Sequence, residues 1–190
     1  MLEGRETRPS ACASTQVMRF AYYDRLSPAR QRIYRQSDAM VELALPAGVE
    51  AAAHVVAIRD SLSAENGPAL RKACQRLIDA LVAGFCVPPI GVRVLAKRPV
   101  EDYGELHGLY EPGEEGKVAR ITVWMRTAQR KNVVAFRTFL RTLIHELNHH
   151  LDYELYMLPE TFHTEGFYKR ESTLVAALLA QADAASPATG

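Results

Sequence analysis

Apolar residues recur at spacings of three and four over two long stretches of the chain. In residues 69–85 the stripe consists of Leu70, Cys74, Leu77, Leu81 and Phe85. In residues 133–157 it consists of Phe136, Leu140, Leu143, Leu147 and Leu151. Because an α-helix turns once in about 3.6 residues, each stripe lies along one side of a helix. The pattern therefore predicts two amphipathic helices, each with its apolar side buried in a core. Asn132 is the expected N-cap of the second helix.

Shorter helices are predicted on both sides of these two. Ser27 followed by Pro28 is typical of a helix start, so a helix is expected from there to about residue 36. Residues 49–63 are rich in alanine and predict another helix, and residues 164–181 predict a closing helix. Glu171 lies on the apolar side of that closing helix. Since a buried carboxylate needs a partner, we expect Glu171 to orient a metal-binding histidine or to pair with an arginine.

Three short stretches alternate between apolar and polar residues, as half-buried strands do, at residues 91–95, 105–110 and 119–126. Residues 111–116 contain a proline and glycines, which predicts a turn and an antiparallel hairpin between the last two strands. Residues 121–126 are expected to form an edge to which an extended peptide can add. The order of helix, three strands and two helices predicts an α+β fold with a three-stranded antiparallel sheet.

The second long helix carries the sequence His145-Glu146-Leu147-Asn148-His149, which has the form H-E-x-x-H. Residues four apart lie on one side of a helix, so the two imidazoles can bind one metal ion. Glu146 is then placed to act as a general base toward water. Both histidines lie opposite the apolar stripe and can face a cleft. This spacing predicts a catalytic metal centre.

A catalytic zinc site usually has three protein ligands and one open position. His163, in the segment after Pro159, can supply the third ligand. Glu165 and Glu171 are competing candidates, because carboxylates also bind zinc.

Two further polar residues lie close to the histidine pair in the sequence. Asp152 lies about 10 Å along the helix axis from His145, too far for direct binding beside both histidines. We expect Asp152 to accept the second N–H of a ligand histidine instead. His150 points about 100° away from His149, so it is predicted not to be a ligand.

H-E-x-x-H followed by His163-x-x-x-Phe167-Tyr168 resembles the pattern of the SprT-like and WLM small zincin peptidases. The motif match covers about residues 133–175, and residues 69–132 are similar in architecture alone. The resemblance implies a compact, minigluzincin-like zincin core with one zinc per chain. It also implies that His163 is the third zinc ligand, that Phe167 packs behind it, and that the substrate is a protein or peptide.

The same patterns predict how the chain is organised. Residues 1–17 are polar and without periodicity, which indicates a disordered tail. Residues 18–66 are expected to form an N-terminal helical extension and residues 67–182 the zincin domain. Residues 183–190 are small and polar and are expected to fray.

Composition and charge narrow the function classes. A formal net charge of +1 does not indicate a dedicated nucleic-acid binder, although DNA association stays possible. Cys12, Cys74 and Cys86 form no C-x-x-C pair, so a cysteine zinc site is not expected, and the last two are predicted to be buried. Because no apolar run approaches about 20 residues and the first ten residues lack a secretory signal, we expect a cytoplasmic protein that does not bind membranes.

The predicted function is zinc-dependent hydrolysis of peptide bonds, with His145, His149 and His163 on the metal and Glu146 as the base. One alternative is a zinc-stabilised interaction module without turnover. Another is a metal hydrolase that acts on a non-peptide amide. Glu146 favours an enzyme, because a purely structural zinc site needs ligands and no base.

Overall fold

A computed structural model of the 190-residue chain describes residues 20–101, 104–114, 116–127 and 132–185. Within these residues the chain forms five α-helices and five β-strands. The predicted disordered tail, residues 1–17, lies outside the described residues, as do residues 186–190 of the predicted C-terminal tail. The α+β class predicted from the sequence is confirmed.

Three helices precede the sheet, and two of them begin with capping residues, of which Ser27 was predicted. Helices α1 (Pro28–Ala39), α2 (Ala52–Ser63) and α3 (Gly67–Phe85) follow one another along the chain. The Ser27 side chain accepts from a backbone N–H of the first turn of α1, and the Asn66 side chain does the same for α3. These caps satisfy N–H groups that have no partner within the helix.

The main sheet contains β1 (Ile90–Lys97), β4 (Gly108–Glu111) and β5 (Ala119–Arg126) in the order β1-β5-β4. Strands β4 and β5 form the predicted antiparallel hairpin, but β1 runs parallel to β5. The prediction of an antiparallel sheet was therefore wrong. The chain reverses direction twice between β1 and β5, and β5 then inserts between the two earlier strands, which makes it parallel to the first.

The predicted second strand, 105–110, is divided between two sheets. Strands β2 (Val100–Glu101) and β3 (Gly104–Glu105) pair with each other in a separate two-stranded ribbon. Only the later part of the predicted strand, β4, joins the main sheet. Since β5 is paired on both sides, the prediction that residues 121–126 form an edge was also wrong. The edges of the described sheet are β1 and β4.

The helix that carries the H-E-x-x-H sequence is α4 (Phe136–Glu154), shorter than the predicted 133–157. Its N-cap is Ala135, which makes no capping side-chain hydrogen bond, so the prediction of Asn132 as cap was wrong. Residues 132–135 precede the helix because the Asn132 carbonyl accepts from the Thr127 N–H at 2.9 Å. At the other end Met157 adopts the left-handed conformation, with φ of 53°, which is incompatible with continuing the helix.

The apolar stripe of α4 lies in the core as predicted, with Leu140, Leu143, Leu147 and Leu151 fully buried. The same core cluster includes side chains from α2, α3, the sheet and α5 (Glu165–Ala185). Among the helices that the structure describes, none combines the length and apolar character that crossing a bilayer requires.

Of the cysteines predicted to be buried, Cys74 is buried in this core, whereas Cys86 is exposed. Cys86 follows the last residue of α3 in a left-handed conformation, with φ of 57°, which ends the helix. The apolar neighbours of Cys86 in the sequence therefore did not predict its exposure. Cys12 lies outside the described residues.

Candidate metal centre

The structure brings together the three histidines that the sequence predicts as ligands. His145 and His149 lie one turn apart on the side of α4 opposite its buried stripe, and His163 lies on the loop between α4 and α5. The Nε2 atom of His163 lies 3.0 Å from that of His145 and 3.1 Å from that of His149. Three imidazole nitrogens therefore converge on one point.

The Nδ1 atom of His145 faces Glu171. It lies 2.8 Å from Oε2 of Glu171, and the other carboxylate oxygen accepts from Arg141 Nη1 at 2.8 Å. Glu171 thus fulfils both roles considered from the sequence, since it orients a histidine and pairs with an arginine. Because a carboxylate accepts the Nδ1–H, the free electron pair of His145 is on Nε2.

His149 is held by a chain of two partners. Its Nδ1 lies 2.8 Å from Thr161 Oγ1, and Thr161 donates its hydroxyl proton to Asp152 Oδ2 at 2.7 Å. The threonine oxygen is therefore free to accept the Nδ1–H, which leaves the electron pair of His149 on Nε2. The prediction that Asp152 accepts the second N–H of a histidine was wrong, because Thr161 lies between them and Asp152 reaches His149 only through it.

The donor set fits a tetrahedral metal ion. Three ligand atoms of His145, His149 and His163 lie within 4.8 Å of one another. A zinc ion at about 2.0–2.1 Å from each nitrogen would separate the nitrogens by about 3.3 Å, close to the 3.0 and 3.1 Å found here. Electron pairs that point at one another are stabilised by a cation between them. The residues therefore match the group that the sequence implies.

The alternative third ligands lie elsewhere. Glu165 is 43% exposed at its side chain and pairs with Lys169 at 2.7 Å. Glu171 contacts the far side of His145 and not the point where the imidazoles converge. Among the described residues, the group that can hold a metal consists of the three histidines.

Phe167 forms the wall behind the histidines. It is fully buried, and its ring centroid lies 5.0 Å from that of His145, 4.8 Å from that of His149 and 5.3 Å from that of His163. The aromatic ring fixes the imidazole planes and excludes water from one side of the site.

Burial keeps two of the imidazoles neutral. Loss of solvent, together with the neighbouring imidazoles, lowers the pKa of His149 to about 3. The pKa of His163 is lowered mainly by burial and also by His145. Because only the neutral imidazole binds a metal, both side chains are ready to act as ligands at neutral pH.

Glu146 lies beside the three histidines and is also buried, with 6% exposure. Burial raises its pKa to about 7, against the opposing effects of His145 and of the Tyr110 N–H, which donates to the carboxylate. A cation bound by the histidines would lower this pKa again. The carboxylate is thus held by a fixed donor, and its burial favours the protonated form, which suits a group that takes a proton from water.

Gly108 on β4 makes room for this carboxylate. A Cβ atom at Gly108 would lie 2.2 Å from Oε1 of Glu146 and 2.8 Å from its Cγ. No side chain other than hydrogen fits there while Glu146 keeps its position. Sequence reasoning missed Gly108, because the contact joins a strand and a helix that are far apart in the chain.

Tyr110 is a second residue that the sequence did not reveal. Its hydroxyl lies 3.2 Å from Nδ1 of His150, and Nε2 of His150 lies 2.9 Å from the Pro88 carbonyl oxygen. Since a carbonyl only accepts, Nε2 of His150 carries the proton and Nδ1 accepts from Tyr110. His150 is therefore a buried non-ligand, and it fixes the tyrosine whose ring stacks on His149.

The histidines and Glu146 open into a cleft of about 730 Å³ between β4 and α4. Arg141 and Thr142 line it on the helix side, and Tyr168 lines it near His163. His107 also lines this cleft, but it is not part of the histidine group. The cleft is large enough for several residues of an extended peptide.

Sequence could have indicated part of this environment and not the rest. Thr161 precedes His163 by two residues, but nothing in its neighbourhood signals a contact with His149. Arg170 donates to Asp152 Oδ1 at 2.6 Å, but its position in the sequence is typical of an ordinary charged helix residue.

Comparison of the chain with protein-family models, with curated proteins and with solved structures finds no match.

Proposed function

We propose that this protein is a zinc-dependent metallopeptidase of the SprT-like zincin type. One zinc ion per chain would be held by His145, His149 and His163, with Glu146 as the general base. The observation that carries the proposal is the convergence of three Nε2 atoms beside a buried, oriented carboxylate at the floor of an open cleft. A structural zinc site would need neither the carboxylate nor the cleft.

When bound, zinc supplies a Lewis acid that polarises a substrate carbonyl and acidifies a water molecule. The protein contributes the proton transfers. Glu146 takes the proton of the attacking water and delivers it to the nitrogen of the leaving amine. The Tyr110 N–H orients the carboxylate for both steps, and the space at Gly108 lets it approach the histidines.

Strand β4 is the proposed binding edge for the substrate. It pairs with β5 on one side, and the Tyr110 N–H points away from β5 to Glu146, so the other side of β4 faces the cleft. An extended peptide can add to such an edge through main-chain hydrogen bonds. This edge takes the place of residues 121–126, which lie in the middle of the sheet.

The test combines zinc analysis with one conservative substitution. Purified protein should contain about one zinc per chain. Glu146→Gln should keep the zinc and the melting temperature, while cleavage of an unstructured protein falls by at least about 10². His163→Ala should lose most of the zinc.

Each outcome has a distinct meaning. Equal cleavage by the normal and Glu146→Gln proteins would refute the assignment of the base. Full zinc content in His163→Ala, together with loss in Glu171→Ala, would refute the ligand set. Zinc without any hydrolysis of peptides would favour the interaction module.

A further inference from the structure

The loop that carries His163 is held by the N-terminal part of the chain. Here the N-terminal segment denotes residues 20–40, and the third-ligand segment denotes residues 158–166. Contacts between them recur along almost the whole third-ligand segment. They join Arg30 to Glu160 at 2.7 Å, the ring of Tyr34 to that of Phe162, the Tyr22 hydroxyl to the His163 carbonyl at 2.8 Å, Ser37 to Thr164 at 3.4 Å, and Asp38 to the Gly166 N–H at 3.1 Å.

One of these contacts brings two backbones together. A Cβ atom at Gly166 would lie 2.4 Å from the Asp38 carbonyl oxygen and 2.6 Å from that of Ser37. Backbone atoms cannot move aside as the end of a flexible side chain can. The third-ligand segment therefore fits against the C-terminal end of α1 only because residue 166 is glycine.

Arg170 links the same end of α1 to a second ligand. It is fully buried and donates to the carbonyl oxygens of Ser37 at 2.8 Å and Met40 at 2.7 Å. It also binds Asp152, which reaches His149 through Thr161. A continuous series of hydrogen bonds thus runs from α1 to His149, while Tyr22 holds the backbone of His163.

Apart from these contacts the third-ligand segment is held mainly by α4. Thr161 and the Leu158 N–H both donate to Asp152, and Leu158 is the buried large apolar side chain of the segment. By contrast, His145 and His149 belong to a helix whose four leucines are in the core. A position set by so few apolar contacts must be fixed by its polar neighbours, and those of Glu160, of the His163 carbonyl and of the Gly166 N–H come from residues 20–40.

We infer that the N-terminal segment is a positioning element of the metal centre. It holds His163 at its place near His145 and His149 before metal binds, and so sets the affinity for zinc. This inference rests on the zinc site proposed above. Without the N-terminal segment the two ligands on α4 stay in place, and the third has to be ordered by the metal itself, which weakens binding.

The decisive experiment compares two glycines at which an added Cβ atom would come as close as 2.4 or 2.5 Å to a neighbouring atom. Gly166→Ala pushes against α1, whereas Gly84→Ala, with its Cβ 2.5 Å from Val49, disturbs packing at α3 away from the histidines. Zinc affinity is measured by competition with a chromophoric chelator, and the melting temperature is recorded for both. Gly166→Ala should lower zinc affinity by about 10–100-fold, as loss of an outer support of a ligand does. Gly84→Ala should leave it within about threefold even where it lowers the melting temperature as much.

A milder pair covers the case in which Gly166→Ala does not fold. Tyr22→Phe removes the hydroxyl that holds the His163 carbonyl, and Tyr23→Phe removes one that accepts from Arg35 within the N-terminal segment. Tyr22→Phe should weaken zinc binding by about two- to tenfold, which corresponds to the net contribution of one hydrogen bond. Tyr23→Phe should leave the zinc affinity unchanged.

The inference is overturned if Gly166→Ala and Tyr22→Phe both bind zinc as the unaltered chain does. It is equally overturned if Gly84→Ala loses as much affinity as Gly166→Ala, because the effect would then be general loss of stability. Failure of the unaltered chain to bind zinc would instead refute the proposed function, so the two failures are distinguishable.

Discussion

Replacement of Gly108 by alanine tests whether β4 and Glu146 really form one catalytic unit. The added methyl group would lie 2.2 Å from Oε1 of Glu146 and 2.7 Å from its Cδ. Carbon and oxygen atoms that are not bonded rarely approach closer than about 3.2 Å. The carboxylate must therefore move by about 1 Å, or β4 must move away from α4 by the same distance.

The size of the effect follows from that displacement. A misplacement of about 1 Å in a catalytic group can reduce turnover by about 10²-fold, which corresponds to about 2.7 kcal/mol in the activation free energy. Extra volume at a packed site also lowers the free energy of unfolding, by about 1–3 kcal/mol. Zinc binding should change little, because Gly108 contacts Glu146 and none of the three histidines is among its nearest neighbours.

The assay is cleavage of an unstructured protein by Gly108→Ala, with zinc content and unfolding in urea measured on the same sample. Gly91→Ala is the matched control, since Gly91 also lies in a strand but its Cβ would meet nothing closer than 3.8 Å. Turnover of Gly108→Ala equal to that of Gly91→Ala would refute the close approach. Loss of zinc in Gly108→Ala would show that the strand supports the ligands and not only the base.

Four further outcomes are expected. Glu171→Gln should lower zinc affinity about 10–100-fold while the chain stays folded, as competition with a chelator will show. Chelation should leave the fold intact and speed hydrogen exchange across residues 158–167 far more in Gly166→Ala than in the unaltered chain, whose N-terminal segment holds these residues without metal. Arg170→Met should reduce the free energy of unfolding by about 3–5 kcal/mol in urea, because it leaves Asp152 buried without its cation. Folding lowers the pKa of His149 from 6.5 to about 3. The metal-free protein should therefore be most stable above pH 6.5, and its free energy of unfolding should fall as the pH falls toward about 3. His149→Gln should weaken this pH dependence.

Controls for these outcomes come from exposed residues. Glu165→Gln should leave zinc affinity unchanged, and the same loss as in Glu171→Gln would point to general charge effects. Arg30→Met breaks a partly exposed ion pair with Glu160 and should cost at most about 1 kcal/mol. Global unfolding on chelation would identify a structural zinc. A metal-free protein with the same free energy of unfolding from pH 7 to 4 would contradict the neutral state of His149.

Sequence predicted those parts of the fold and site that depend on neighbours a few residues apart. The leucine stripe and the pair His145 and His149 follow from helix geometry alone, because spacings of three and four determine which residues share a side. Capping by Ser27 is equally local and is present. Where the local signal was weak, as at Asn132, the prediction failed.

The remaining features depend on contacts between distant parts of the chain. Alternation of apolar and polar residues identifies a strand, but it does not say which strand lies beside it or in which direction. The central position of β5 and the edge position of β4 were therefore not predictable. The roles of Gly108 and Tyr110 follow from that edge, so they could not be derived from sequence either.

The contact between Tyr22 and His163 has a consequence for how the protein is made. The two residues are 141 positions apart. At a synthesis rate of about 5–20 residues per second, the ribosome adds His163 about 7–28 seconds after Tyr22. Throughout that interval the N-terminal segment lacks its contacts with residues 158–166. A nascent chain that has not reached residue 163 can present His145 and His149 together with the N-terminal segment, but it lacks the third histidine. Assembly of the histidine group therefore waits until residues 158–166 have been synthesised.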